Sequence, residues 1–186
     1  MLVQNCLSPE TIEITDSADD AAEIIARMSA KLAAHLGIEQ ETIMSAVLTR
    51  EKSRTTAFTN GAAVPHCRLN ILKKCGIALM ILRNPTCWDN QGHNVDTIMM
   101  IASPQENVSS NLRILANSSQ LLDCAALRNK LKQAPDSNAA YKLISTIEKA
   151  VEQRRSQHGM LRELRRDQQN GTDAQYLQEV VNNFAW

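Results

Sequence analysis

Residues 48–69 read LTREKSRTTAFTNGAAVPHCRL, and within this stretch the pattern of the chain changes. Up to Arg50, the apolar residues Ile43, Met44, Val47 and Leu48 form one stripe at helical spacing. This predicts a helix from about Glu39 to Arg50, with the arginine at its carboxyl end. From Glu51 to Asn70 that period is lost. Thr55, Thr56, Asn60, Gly61 and Pro65 alternate with short apolar pieces such as Ala62 to Val64, the composition of short strands and turns.

Upstream, after a short extended start, Ala21, Ile24, Ile25, Met28 and Leu32 recur at helical spacing between Ser17 and Leu36. Ser17 and Asp20 are placed like a capping pair, and Gly37 is placed to end the helix. Downstream, Gly76 to Leu82 and Val95 to Ala102 are short continuous apolar runs, as expected of central strands covered on both faces. Helical spacing returns at Leu112, Leu115 and Ser119, at Leu127 and Leu131, and after Pro135 at Tyr141, Ile144, Ile147 and Val151. The order helix, helix, strands, helices indicates an α/β or α+β sandwich.

The 186 residues suffice for one substantial domain, with 44% apolar residues to build its core. Lys+Arg and Asp+Glu balance at 20 each, so overall charge directs the chain to neither nucleic acid nor an anionic membrane. Met1 to Ser8 lack a basic start and a long apolar stretch, and the longest apolar run is Ile77 to Leu82. No signal peptide or membrane insertion is expected, and the chain reads as cytoplasmic. The five cysteines at 6, 67, 75, 87 and 124 contain no C-x-x-C pair and fit reduced thiols.

The chemistry lies in the opening stretch. Histidine is largely neutral and nucleophilic at neutral pH, with an ordinary pKa of about 6.5, so His66 is the candidate phosphoryl acceptor. Pro65 fixes its own φ and biases Val64 to an extended conformation, which limits the directions from which the imidazole is presented. Arg50 offers a planar cationic fork for phosphoryl oxygens, Thr55 and Thr56 add neutral donors, and Asn60-Gly61 is a turn able to bring backbone N–H groups near an anion. Phosphoryl transfer asks mainly for positioning and charge stabilisation, so no cofactor or metal is required. Cys67 on an extended segment points away from His66 and reads as packing. His66, Cys67 and His93 lack the spacing of a zinc site. His35 and His158 belong to no constellation. Trp88, Met80, Met99 and Met100 read as core.

The same string resembles the active-site stretch of the fructose/mannitol-type (type-2) enzyme IIA domains of the bacterial phosphotransferase system. There, an arginine at the end of a helix, a Ser/Thr-containing turn and a Pro-His pair recur. Pro85, Trp88-Asp89, Val95 and Ile101-Ala102-Ser103-Pro104 resemble the later strands in order and spacing. The resemblance covers roughly Leu7 to Val151 and points to the stand-alone, nitrogen-regulatory branch. It implies an α/β sandwich: a mixed, roughly five-stranded sheet flanked by helices on both faces. It further implies that His66 is phosphorylated by an HPr-like phosphocarrier protein with Arg50 as partner, and that phosphorylation state regulates target proteins. Where the family carries a second histidine, this chain has Asn111, expected beside His66 at an accessible helix start. Cys67, Ala57 and Thr59 stand where glycines are usual. A second expectation follows from these departures: an interaction module that no longer turns over phosphate.

Composition shifts near Glu152, so residues 1–152 are expected to form the IIA-like domain and 153–186 a C-terminal helical extension. Arg154, Arg155, Arg162, Arg165 and Arg166 are interleaved with acidic residues and read as a solvated helical face. Beyond Gly171, Asp173 is placed to cap a last helix whose stripe Leu177, Val180, Val181 and Phe184 needs cover. That cover is either its own domain or a twin subunit, the latter making a homodimer through the C-terminal helices.

Overall fold

The computed structural model describes residues 2–164 and 173–184. Five strands form one mixed sheet: β1 (Leu7–Thr15), β2 (Ala62–Ala63), β3 (His66–Leu69), β4 (Gly76–Cys87) and β5 (Asn94–Pro104). β1 runs parallel to β4, β4 antiparallel to β5, and β2 and β3 both parallel to β5. β2 and β3 are thus two halves of one edge strand, separated at Val64-Pro65.

The apolar runs of β4 and β5 follow from burial on both faces. Ile77, Leu79 and Ile81 face one core and Ala78, Met80 and Leu82 the other. α1 (Ala21–Leu36) and α2 (Gln40–Ser53) cover the second face. α3 (Val108–Asp123), α4 (Ala125–Lys132), α5 (Ser137–Leu164) and α6 (Asp173–Asn182) lie on the first. Trp88, Met80, Met99 and Met100 are buried, as the sequence indicates.

Several boundaries differ from expectation. The extended start is a nine-residue strand. It was hard to read because Ser8-Pro9-Glu10 interrupt its apolar pattern where the register with β4 is irregular, a composition tolerated at a sheet edge. α1 begins three residues after the placement of Ser17 would suggest. Asp20 is the cap, accepting from the Glu23 backbone N–H at 2.8 Å, while the Glu23 carboxylate accepts from the Asp19 N–H. Gly37 ends the helix at φ 71°, as expected. α2 continues to Ser53, so Arg50 stands one turn before the helix end.

α5 runs unbroken through Glu152. Leu177 and Val181 of α6 are buried in the first core, with Val180 and Phe184 packed against it. Leu177 and Val181 of the terminal stripe are thus covered within the chain, while Val180 and Phe184 keep part of their surface exposed. Arg154 stacks on the Tyr176 ring and Arg155 donates to Gln120 at 2.8 Å, so these two do not form a purely solvated face. Arg165, Arg166 and Gly171, and the side chains of His158, Arg162 and Asp173, lie outside the described residues.

Candidate phosphoryl-acceptor site

His66 is the first residue of β3, at the open edge of the sheet, and it faces a cleft between the end of α2 and the flank of α3. α2 and its following turn contribute Arg50 and residues Arg54 to Phe58, the strand edge Val64 and His66, and α3 Leu115 and Ser119. The structure thus brings together His66, Arg50, Thr55 and Thr56. Cys67 points to the other side, buried in the α1/α2 core, where burial pushes its thiol up to about 12. It is no nucleophile at neutral pH.

The half-buried His66 ring is oriented by its own strand: Nδ1 lies 2.9 Å from the Val64 carbonyl oxygen. A carbonyl only accepts, so Nδ1 carries the proton and Nε2 presents its lone pair. Burial lowers the His66 pKa from the ordinary 6.5; the Val64 bond opposes this, Arg50 and Arg68 lower it further, and Glu51 opposes them. The net shift keeps the ring neutral over a wider pH range. In an NMR titration the His66 ring should reach its midpoint below pH 6.5, and removing the positive charge in Arg50→Met should raise that midpoint. A wild-type midpoint above 6.5 would mean that the ring is more hydrated than this geometry allows.

Behind the cleft lies a carboxylate network. Glu51, next to Arg50 on α2, accepts from the Thr56 backbone N–H, the Thr56 hydroxyl and the Trp88 indole N–H, each at 2.7 Å. Thr55 donates to Asp89 at 2.6 Å, and Asp89 also receives the His93 ring at 2.8 Å. Desolvation pushes the Asp89 carboxyl up, but the bonds from Thr55, His93 and Gln91 outweigh it and hold the group at about 2. The turn carrying both threonines is therefore clamped to the β4–β5 hairpin. It is not a row of free donors: both hydroxyl protons and the Thr56 and Ala57 N–H groups already have protein acceptors.

Other residues singled out in the sequence sit elsewhere. Asn60 and Gly61 do form a turn, with Gly61 at φ 93°, but neither lines the cleft. The Asn60 amide donates to Asp123 at 2.9 Å, its carbonyl accepts from Arg128 at 2.6 Å, and the Gly61 carbonyl accepts from the Asp96 N–H at 2.8 Å. Their bonds anchor the edge strand to β5 and to the α3–α4 junction. Asn111 is 6% exposed rather than accessible, and its amide donates to the Pro104 carbonyl at 2.7 Å. It lies one turn before Leu115, outside the cleft lining. A buried amide had to find a partner, and the end of β5 supplied it. The sequence reading missed Glu51, Arg54, Phe58, Leu115 and Ser119. The available signal was helical spacing in α3, which puts Ser119 four residues after Leu115; Arg54 lies just past the end of α2 in an extended conformation, where no such spacing applies. Among the described residues no group of His, Cys, Asp and Glu could hold a metal, and no helix is long and apolar enough to cross a membrane.

The family model described as "Phosphoenolpyruvate-dependent sugar phosphotransferase system, EIIA 2" matches residues 5–147. A "Nitrogen regulatory protein" of Pseudomonas aeruginosa is 31% identical over 111 residues, covering 59% of this chain and 72% of that protein. The crystal structure of nitrogen regulatory protein IIA-Ntr from Neisseria meningitidis superimposes with a TM-score of 0.70 at 17% identity, covering 76% of this chain and 98% of that one. The enzyme IIA mannitol chain from Escherichia coli, solved in complex with phosphorylated enzyme IIB mannitol, is similar at a TM-score of 0.62 and 18% identity, covering 74% and 96%.

Proposed function

Because the chain belongs to the EIIA 2 family of the phosphoenolpyruvate-dependent sugar phosphotransferase system, we propose that His66 accepts a phosphoryl group from a phosphohistidine on a small HPr-like carrier protein. The phosphorylated and free forms then bind regulated target proteins differently. The observation that carries this reading is the His66 ring itself, which lines a cleft shared with Arg50 and, with Nδ1 on the Val64 carbonyl, keeps the Nε2 lone pair free. Similarity to nitrogen regulatory proteins supports the regulatory part.

In the transfer, the Nε2 lone pair forms a bond to phosphorus as the carrier's N–P bond breaks. The departing electron pair restores the carrier's neutral imidazole. The His66 ring then holds positive charge with its proton still on Nδ1, and the Val64 carbonyl becomes a stronger partner for it. The phosphoryl oxygens lie on the side of Arg50 and gain a cationic donor. The reading places the chain in the cytoplasm, in keeping with its free cysteines among the described residues. It treats residues 1–152 as the acceptor domain and 153–186 as a helical extension.

The test is incubation of the full chain with phosphoenolpyruvate, the general enzyme and the carrier of the same organism. Acid-labile phosphate should appear on His66. No label would leave the second reading, an interaction module without turnover, which the burial of Asn111 favours. Arg50→Met should fold normally, since among the described residues the Arg50 side chain makes a single hydrogen bond, Nη1 to the Arg54 carbonyl at 2.8 Å. Loss of a charge-assisted bond worth ~1.5–3 kcal/mol should lower the equilibrium yield of phosphohistidine at least roughly tenfold. An unchanged yield would remove Arg50 from the site.

A further inference from the structure

The polar groups around His66 divide into those already partnered and those left free. The Thr55 and Thr56 hydroxyls donate to Asp89 and Glu51, Asn111 donates to the Pro104 carbonyl, and one Arg50 N–H is taken by the Arg54 carbonyl. Besides the rest of the Arg50 fork, two cleft-lining polar side chains remain, one on each wall: Arg54 at the end of α2 and Ser119 on α3. Among the described residues neither the Arg54 guanidinium nor the Ser119 hydroxyl has a hydrogen-bond or ion-pair partner, and Arg54 is exposed while Ser119 is partly buried.

We propose that Arg54 and Ser119 grip the phosphoryl oxygens of phospho-His66, the two of them supplying what a second histidine at position 111 would otherwise give. This inference rests on the proposed phosphorylation of His66. A phosphoryl group carries up to two negative charges on three oxygens and binds best where several donors converge. Arg54 supplies a fork and a permanent charge, and Ser119 a rotatable hydroxyl that donates without titrating. Because α2 and α3 stand on opposite sides of the cleft, the two donors approach the group from different directions. Asn111 has neither freedom nor charge for the task.

The bland alternative for Arg54 is a solvated cation that complements the carboxyl end of α2. That role predicts an effect on helix stability and none on the phosphoryl group. The experiment therefore phosphorylates the full chain chemically with phosphoramidate, which needs no protein docking. The Nε2–P bond forms as the donor's P–N bond breaks and ammonia leaves with the electron pair. Arg54→Gln should lower the yield of phosphohistidine about tenfold and Ser119→Ala about threefold to tenfold. The 31P titration of the phosphoryl group should move to higher pH in Arg54→Gln, because a cation favouring the dianion is gone. Arg54→Lys should restore most of that titration shift, and Ser119→Thr most of the yield. If wild type is labelled and the variants match it in yield and in 31P titration, the inference fails while the proposed function stands. Variants impaired only with the carrier protein would make these docking residues and also overturn it. Absence of label on wild type from both donors would remove the proposed function itself.

Discussion

His66→Asn should fold as the wild type does and carry no phosphoryl group at all. Asparagine places its amide nitrogen near the position of the imidazole Nδ1, so the donor to the Val64 carbonyl at 2.9 Å is retained. What disappears is Nε2, whose lone pair the bond from Nδ1 to the Val64 carbonyl leaves free. Retention of the bond keeps the stability cost below about 1 kcal/mol, measurable by urea denaturation. Labelling from phosphoenolpyruvate through the carrier should fall to that of a blank reaction. Persistent acid-labile phosphate on His66→Asn would place the acceptor at another residue.

Glu51→Ala should have the largest effect on the fold of the site. The Glu51 carboxylate is the shared acceptor of Trp88, which is 5% exposed, and of both donors of Thr56, which is 9% exposed. Truncation leaves three sheltered donors without it, and each buried unsatisfied group costs about 1–3 kcal/mol. Partial access of water reduces the sum, so a loss of about 3 kcal/mol is expected in denaturant unfolding. Labelling should drop with it, because the turn clamped by Glu51 forms one wall of the cleft. Glu51→Gln provides the graded control. Its amide oxygen can still serve Trp88 and the Thr56 N–H, while the Thr56 hydroxyl can rotate to accept from the amide nitrogen. About 1 kcal/mol should suffice for that exchange. Equal losses for Ala and Gln would mean that the charge of Glu51, rather than its geometry as an acceptor, holds the turn.

How far the site was legible differs residue by residue. His66 and Arg50 were readable because their chemistry is local: a proline sets the backbone before the histidine, and the arginine lies on a helix whose apolar stripe is plain. Thr55 and Thr56 were readable as polar turn residues, but not as donors to carboxylates. Their acceptors include Asp89, 34 positions away for Thr55, and the Trp88 indole that shares Glu51 lies 37 positions from it. Asn60-Gly61 was readable as a turn, yet its bonds to Asp96, Asp123 and Arg128 depend on where β5, α3 and α4 happen to lie. Asn111 was readable as standing where a relative would have histidine. Its burial was not, because nothing in the local pattern says that the end of β5 leaves a carbonyl beneath α3.

The sequence by itself determined what short-range physics controls. Helical periods made α1 and α2, with Ile24, Ile25, Met28 and Leu32 at most 1% exposed. Uninterrupted apolar runs made the two central strands, and Pro65-His66 made a presented imidazole. The tertiary structure alone decided which donors stay free and which are committed. A hydroxyl or guanidinium bonds to whatever acceptor packing brings within about 3 Å, and that distance is set by sheet register and helix placement across tens of residues. Hence the chain's own order of residues pointed to Thr55, Thr56 and Asn111 around His66, whereas the folded cleft leaves Arg54 and Ser119 open to an anion.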